Sequence, residues 1–500
     1  MPNIRPVDGN EVRDVRNRTA LLWAALAVGA LLRLTQVARR SLWMDEFHTF
    51  FHARFEGLVP WLEFLRRDNH PPLSFLSVRL STSLFGDSPL AIRAPAVVFG
   101  LWCILHTAKL ARGLPRSWAP PLGALLLALS SLHLTATTEA RMYALVAVSA
   151  SGVLLALRDT FDGRPARLRL ALWLWVGLHA HYFFLHYATA LAAGALAVAF
   201  VQRERRAELK RLVPAVLLAG AASLPWYAWG FREQLLGHDL HPGARMDPLR
   251  TLPEAVAHLL FHNVSLAGPL RLPILGAAGL ALLWALWGLA RLLRSPDGRT
   301  RALGLLLAAG ALGVPAWAAF VSLVFPRSGF NWTYFTGCCA PFALLVTAVP
   351  RASRWAGVGV FSIVLAATWL AVCNARSVGT EDYRGAITSI LAQARDTDAV
   401  FVIEPGFEVF PNALGWKYYA PRLAAPDTPP PRLPLDEDYT LEDPAVLDGY
   451  SRAFLMQRGV DDVHPTLRVL REHYAEEHQE RYGYSIFVHR FEQPIEGTRR

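Results

Sequence analysis

Eleven stretches of sixteen to twenty-four residues run through this chain almost without charge, at about 19–37, 91–110, 117–135, 142–157, 168–183, 185–201, 212–230, 270–293, 302–325, 332–349 and 355–373. A bilayer core of about 30 Å takes roughly 20 apolar residues of helix, and only helices or closed barrels can satisfy their backbone inside it. The runs are continuous rather than alternating, so helices are expected. With 53% hydrophobic and 18% charged residues over 500 positions, the chain is too apolar for a soluble enzyme of its size and for a disordered protein. The expected fold is mainly α and polytopic transmembrane.

Charge placement gives an orientation. Residues 1–373 carry 36 Lys+Arg against 19 Asp+Glu, whereas residues 374–500 carry 14 against 21. The basic excess lies in short returns between apolar runs, which is a topology signal and not a nucleic-acid footprint. With the N-terminus inside, five returns, at Lys109–Arg116, Arg158–Arg169, Arg203–Arg211, Arg291–Arg301 and Arg351–Arg354, are all basic, as cytoplasmic loops should be. An odd number of spans then leaves the tail outside. Pro71 to Phe85 is apolar but short and carries Arg79, so it suits a helix lying at the interface. No cleavage site follows the first apolar run, which is expected to remain as a span. Cys103, Cys338, Cys339 and Cys373 all fall in apolar runs without metal-type spacing and read as small core residues.

Two domains are expected: a membrane domain over 1–373 with a large first outer loop at 38–90, and a small extracytoplasmic α/β domain over 374–500. In the tail, 383–394 and 465–476 have helical patterns, while 399–404, 452–457 and 484–491 read as strands. Asp436–Asp438 follows a proline-rich stretch and reads as a solvated acidic loop.

Once this topology is imposed, the unusual polar residues gather on the outer side. The first outer loop holds Trp43-Met44-Asp45-Glu46-Phe47-His48 and Asp68-Asn69-His70-Pro71-Pro72-Leu73. Later loops hold Glu139-Ala140-Arg141-Met142-Tyr143, His179-Ala180-His181 with His186, and Pro326-Arg327-Ser328. Each has a plain reading: two solvated carboxylates on an amphipathic helix, a helix start at the prolines, an interfacial arginine, histidines packed at a tight turn or binding a metal. Taken together they suggest one polar pocket, since such groups are costly beside lipid unless they face a cavity or each other. A carboxylate that accepts a hydroxyl proton, with Arg and His beside a phosphate that gains charge as it leaves, is chemistry suited to glycosyl transfer from a lipid-linked sugar phosphate. The chain shows no Gly-rich phosphate loop or dinucleotide fingerprint.

The order Asp45-Glu46, His70-Pro71-Pro72-Leu73, Arg93-Ala94-Pro95 with Phe99-Gly100, and Glu139-Ala140-Arg141-Met142-Tyr143 resembles the bacterial membrane glycosyltransferases related to protein O-mannosyltransferases and aminoarabinose transferases, which have the GT-C fold. The resemblance covers residues 20 to about 200, and extends more loosely to Glu381-Asp382-Tyr383-Arg384 and Tyr418-Tyr419. It implies an inverting transferase in the bacterial inner membrane that uses a polyprenyl-phosphate sugar and acts periplasmically on a glycan, lipid or protein acceptor. Asp45 would be the general base and Glu46 its support, with His70, Arg141, Tyr143 and Arg327 on the donor phosphate. A divalent metal ion is a further implication, with Glu46 and His70 as candidate ligands. Two alternatives are a flippase for a lipid-linked substrate and a non-catalytic scaffold with a sensor tail. The first would want midplane polar residues and repeated halves, of which the sequence shows no sign.

Overall fold

The computed structural model describes residues 9–54, 57–115, 117–237, 258–259, 271–324, 332–348, parts of 359–373, 379, 381–403, 413–425, 431, 441, 443–459 and 464–495. It divides into two compact units, one of residues 1–38 and 52–376, the other of residues 39–51 and 377–500.

The larger unit is helical. It contains α1 (Gly9–Arg39), the last residue of α2 (Met44–His52), α3 (Leu58–Leu65), α4 (Leu73–Phe85), α5 (Pro89–Ala111), α6 (Ala119–Leu129), α7 (Ser131–Ala136), α8 (Tyr143–Phe161), α9 (Arg167–Ala180), α10 (Phe184–Val201) and α11 (Arg206–Trp226), followed by helices over Arg271–Leu293, Gly298–Val324 and Cys339–Thr347. Among the described residues, seven helices are long and apolar enough to cross a membrane. The eleven apolar runs do not all become single long helices. The run 117–135 breaks at Ser130, whose extended ψ of 120° ends α6 while its hydroxyl accepts the His133 N–H at 3.4 Å and starts α7. The run 168–183 yields only the fourteen residues of α9, and 332–349 opens with a 3-10 segment, Trp332–Cys338. Most of 355–361 lies outside the described residues. At thirteen residues, about 20 Å, α4 is too short to span.

Helix α8 lies at the centre, with 94% of its apolar window buried. Two glycines permit close approach around it. A Cβ at Gly152 would come within 2.4 Å of Trp173 on α9, and one at Gly100 of α5 within 2.5 Å of Thr137. Arg33, fully buried on α1, ties this region together. Its Nε donates to Thr137 Oγ1 at 2.9 Å, its Nη1 to Gly29 O at 2.9 Å, and its Nη2 meets His133 Nδ1 at 2.7 Å. A buried guanidinium is tolerable in an apolar region only when its donors are met in this way.

The smaller unit is built on a four-stranded sheet, β1 (Ala399–Ile403), β2 (Ala453–Arg458), β3 (Tyr474–Tyr482) and β4 (Ile486–Pro494), in the order β1-β2-β4-β3. β1 and β2 run parallel, and the other pairs are antiparallel. One face, with Phe401, Leu455 and Phe491, packs on Leu467 and Leu470 of the Pro465–His473 helix. From the opposite face Arg490 donates to Gln393 of the Tyr383–Gln393 helix at 2.7 Å. The helical pattern over 465–476 ends at His473 and the chain turns at once into β3. Polar on both faces, this edge strand has no apolar alternation to announce it.

Residues 39–51, which sequence reasoning assigned to the outer loop of the membrane domain, belong to this smaller unit. The reason is aromatic. Phe47 of α2 meets Tyr383, Tyr418 and Tyr419 at ring centroid distances of 5.1, 5.7 and 5.9 Å, and Phe50 meets Tyr418 at 5.2 Å. Phe47 and Phe50 are 0% and 1% exposed, and full burial of such a ring stabilises by about 1.5–3 kcal/mol. Backbone contacts add to the attachment: Tyr419 Oη accepts the Leu42 N–H at 2.8 Å, and Ser41 Oγ accepts that of Arg384 at 3.1 Å.

Candidate functional site

In the smaller unit, Asp45 and Glu46 occupy the first turn of α2, where the exposed amides of a helix start favour negative charge. Their surroundings differ sharply. Glu46 is 0% exposed, and its Oε2 accepts the Trp43 N–H at 3.3 Å, the reach-back of a capping glutamate. Asp45 is half-buried. Glu381 completes the cap: its Oε2 accepts the Met44 N–H at 3.0 Å, while its Oε1 takes the Arg458 guanidinium at 2.8 Å. Burial would lower the Arg458 pKa, but the charges of Glu381, Tyr383 and Asp45 and the Glu381 hydrogen bond raise it. A fixed cation therefore belongs to the environment of Asp45, which the sequence did not reveal.

In the larger unit, the His70-Pro71-Pro72 turn is organised by Asp68. Its Oδ1 accepts the N–H groups of Asn69 and His70 at 2.6 and 2.9 Å and lies 3.1 Å from His70 Nδ1; its Oδ2 lies 2.8 Å from His52 Nδ1. Asp68 is only 8% exposed. Burial by itself would raise its pKa, but hydrogen bonds from His52 and His70 outweigh burial and hold the carboxyl well below the usual carboxylate range. An ionised carboxylate only accepts, so both histidines present Nδ1–H to it and His70 is fixed with Nε2 on its far side.

The His70 ring sits 5.3 Å from that of His181, which lies 4.7 Å from Tyr334 and 6.5 Å from Tyr143. His181 also feels the charges of Arg141 and His186. Three of the polar segments singled out in the sequence, around Asp68, Arg141 and His181 with His186, thus meet in one unit. Arg141 is half-buried and, with Ser74, Ser77, Pro95, Phe99 and Ala140, lines a small cavity. His179 is turned away, its Nδ1 on the Trp175 carbonyl at 3.0 Å, so the His-x-His pair does not act as one ligand set. Arg93 is buried with its Nη1 on Val37 O at 3.3 Å and anchors α5 to the end of α1. Arg327 lies outside the described residues.

Sequence reasoning quoted Asp68 without giving it a role and passed over His52, Tyr334 and the Arg33–His133 pair. Asp68 had a usable signal, a carboxylate two residues before the histidine, which is the spacing of an Asx turn. Glu381 had none beyond the resemblance, because its partner Met44 is 337 residues away.

Of the two candidate metal ligands, Glu46 is enclosed with its Oε2 on the Trp43 amide, whereas His70, with Nδ1 on Asp68, keeps Nε2 for a ligand. Among the described residues, the group of three whose ligand atoms fall within 4.8 Å of one another is Glu476, His478 and Glu492 on the tail sheet. There Glu492 already lies 3.3 Å from Arg490 and 3.5 Å from Arg452.

Residues 69–229 match the family of dolichyl-phosphate-mannose-protein mannosyltransferases. The fold is similar to that of ArnT from Cupriavidus metallidurans in the apo state, at 14% identity and a TM-score of 0.56 over 94% of this chain and 98% of that one. It is also similar to the same enzyme bound to undecaprenyl phosphate, at 12% identity and a TM-score of 0.50 over 99% and 100% of the two chains. No curated protein matches the sequence. The chain is a multi-pass membrane protein of the GT-C fold.

Proposed function

We propose that this protein moves a sugar from a polyprenyl-phosphate donor to an acceptor hydroxyl, with inversion, on the extracytoplasmic side of a bacterial inner membrane. Asp45 takes the hydroxyl proton, the oxygen bonds to the anomeric carbon, and the bond from that carbon to the phosphate oxygen breaks on the opposite side. The phosphate leaves with the bonding pair, held by Arg141 and His70 through charge-assisted contacts, with Tyr143 beside them. Arg327 is assigned to the same phosphate from sequence alone.

The observation that carries this reading is the gathering of Asp68, His70, His181, Arg141 and Tyr143 from separate loops around one cluster of rings. A scaffold has no use for a histidine whose tautomer is fixed by a buried carboxylate. The polyprenyl carrier is supported by the undecaprenyl phosphate bound to ArnT and by the dolichyl-phosphate donor in the name of the matching family. The choice of Asp45 over Glu46 follows the resemblance, in which the first carboxylate of the pair holds this role, and is supported by the Glu46 Oε2 accepting the Trp43 amide at the helix start.

The test is a pair of near-isosteric substitutions in a deletion strain, with envelope glycans as readout. Asp45→Asn should lower transfer by about 10²–10⁴, the usual range for a lost general base. Glu46→Gln, which keeps an acceptor oxygen for the Trp43 amide, should retain most activity. The reverse order would assign the base to Glu46.

A further inference from the structure

At the far end of α8 from Tyr143, about 27 Å along the helix, the turn into α9 borders an open surface cavity of about 530 Å³. Its walls include Arg164, Arg167, Arg169, Arg211, Thr160 and Leu168. The charge here is far from balanced. Asp159 serves Arg158 at 2.6 Å, Arg169 at 2.9 Å and Arg164 at 3.5 Å, and Glu208 serves Arg211 at 2.8 Å, so four guanidinium groups share these two carboxylates and Arg167 adds a fifth cation. The first amides of α9, which begins at Arg167, receive no side-chain cap and add to the positive potential.

The walls also report depth. Leu168 is 77% exposed, and half a turn beyond Arg211 the outer face of α11 becomes apolar, with Val213, Val216 and Leu217 all more than half exposed. A concave basic surface at the level where exposed arginine gives way to exposed leucine and valine matches a lipid headgroup, whose phosphate meets cations while its chains lie along the apolar belt. A soluble anion would have no need of that belt.

We propose that this cavity binds the phosphate headgroup of an anionic phospholipid, as a site separate from the one that holds the donor. Nothing in the transfer reaction requires it, and its distance from Arg141 and Tyr143 excludes a shared phosphate.

Native mass spectrometry of the full-length protein from neutral detergent, after mixing with phosphatidylglycerol, phosphatidylcholine or inorganic phosphate, tests this directly. Wild type should retain phosphatidylglycerol at least fivefold more than phosphatidylcholine, and the double variant Arg167→Gln, Arg211→Gln should lose that preference. Arg167→Gln alone, on an exposed side chain unlinked to Asp159, should lower it at least twofold, so the test survives misfolding of the double variant. Arg167→Lys should keep it. Equal retention of both lipids by wild type, or a preference unchanged in Arg167→Gln and the double variant, would overturn the proposal. Displacement of phosphatidylglycerol by millimolar inorganic phosphate would move the site to a soluble anion and overturn the lipid assignment.

Discussion

Glu381 accepts the backbone N–H of Met44 at 3.0 Å, so the helix that carries Asp45 starts on a carboxylate supplied from 337 residues away. The same side chain holds Arg458. Removing it as Glu381→Ala leaves the Met44 amide and the guanidinium without this partner, at a cost of about 1.5–3 kcal/mol for hydrogen bonds to a charged group. Transfer should fall at least tenfold while donor binding stays within twofold of wild type, and Glu381→Gln should recover part of the loss. Calorimetry of the purified protein together with a donor-binding titration checks both.

Asp68 supplies a prediction in pH. Its folded pKa is depressed, so its contribution to stability is present above the unfolded value of about 3.9 and disappears as pH falls through the lower folded value. Asp68→Asn should therefore be less stable than wild type by a margin that is constant from pH 8 to about 5 and narrows only below about 4. Thermal melts across that range measure it. A margin that closes between pH 7 and 5 would contradict this assignment to Asp68.

Much of this was legible in the sequence, for physical reasons that also explain the gaps. Long apolar runs announce helices, and the helix over Tyr383–Gln393 and strands β1 and β2 follow from periodicity and branched apolar residues. The break at Ser130 escaped notice because an apolar run looks the same with or without a kink. β3 was missed because an edge strand needs no buried face. The residues around His70 were found because Asp68, His70 and the prolines are close in sequence and their turn is local. The seat of α2 on Tyr383, Tyr418 and Tyr419 was not, because it depends on contacts far apart in the chain.

Orientation rests on the five basic returns and is testable without any activity. Alkaline phosphatase fused after Arg376 should be active and after Arg205 inactive, because only the first would be exported. The opposite pattern would reverse the topology and place Asp45 and Arg141 on the cytoplasmic side.

The most direct test of the account is the fate of the donor lipid. Purified protein in detergent, given a polyprenyl-phosphate sugar and a cell-envelope extract as acceptor, should release polyprenyl phosphate in step with glycosylated product. It should release little without the extract, and little at all in Asp45→Asn. Sugar transfer from a soluble nucleotide sugar with no lipid intermediate, or movement of the lipid-linked sugar across a membrane without cleavage, would contradict it.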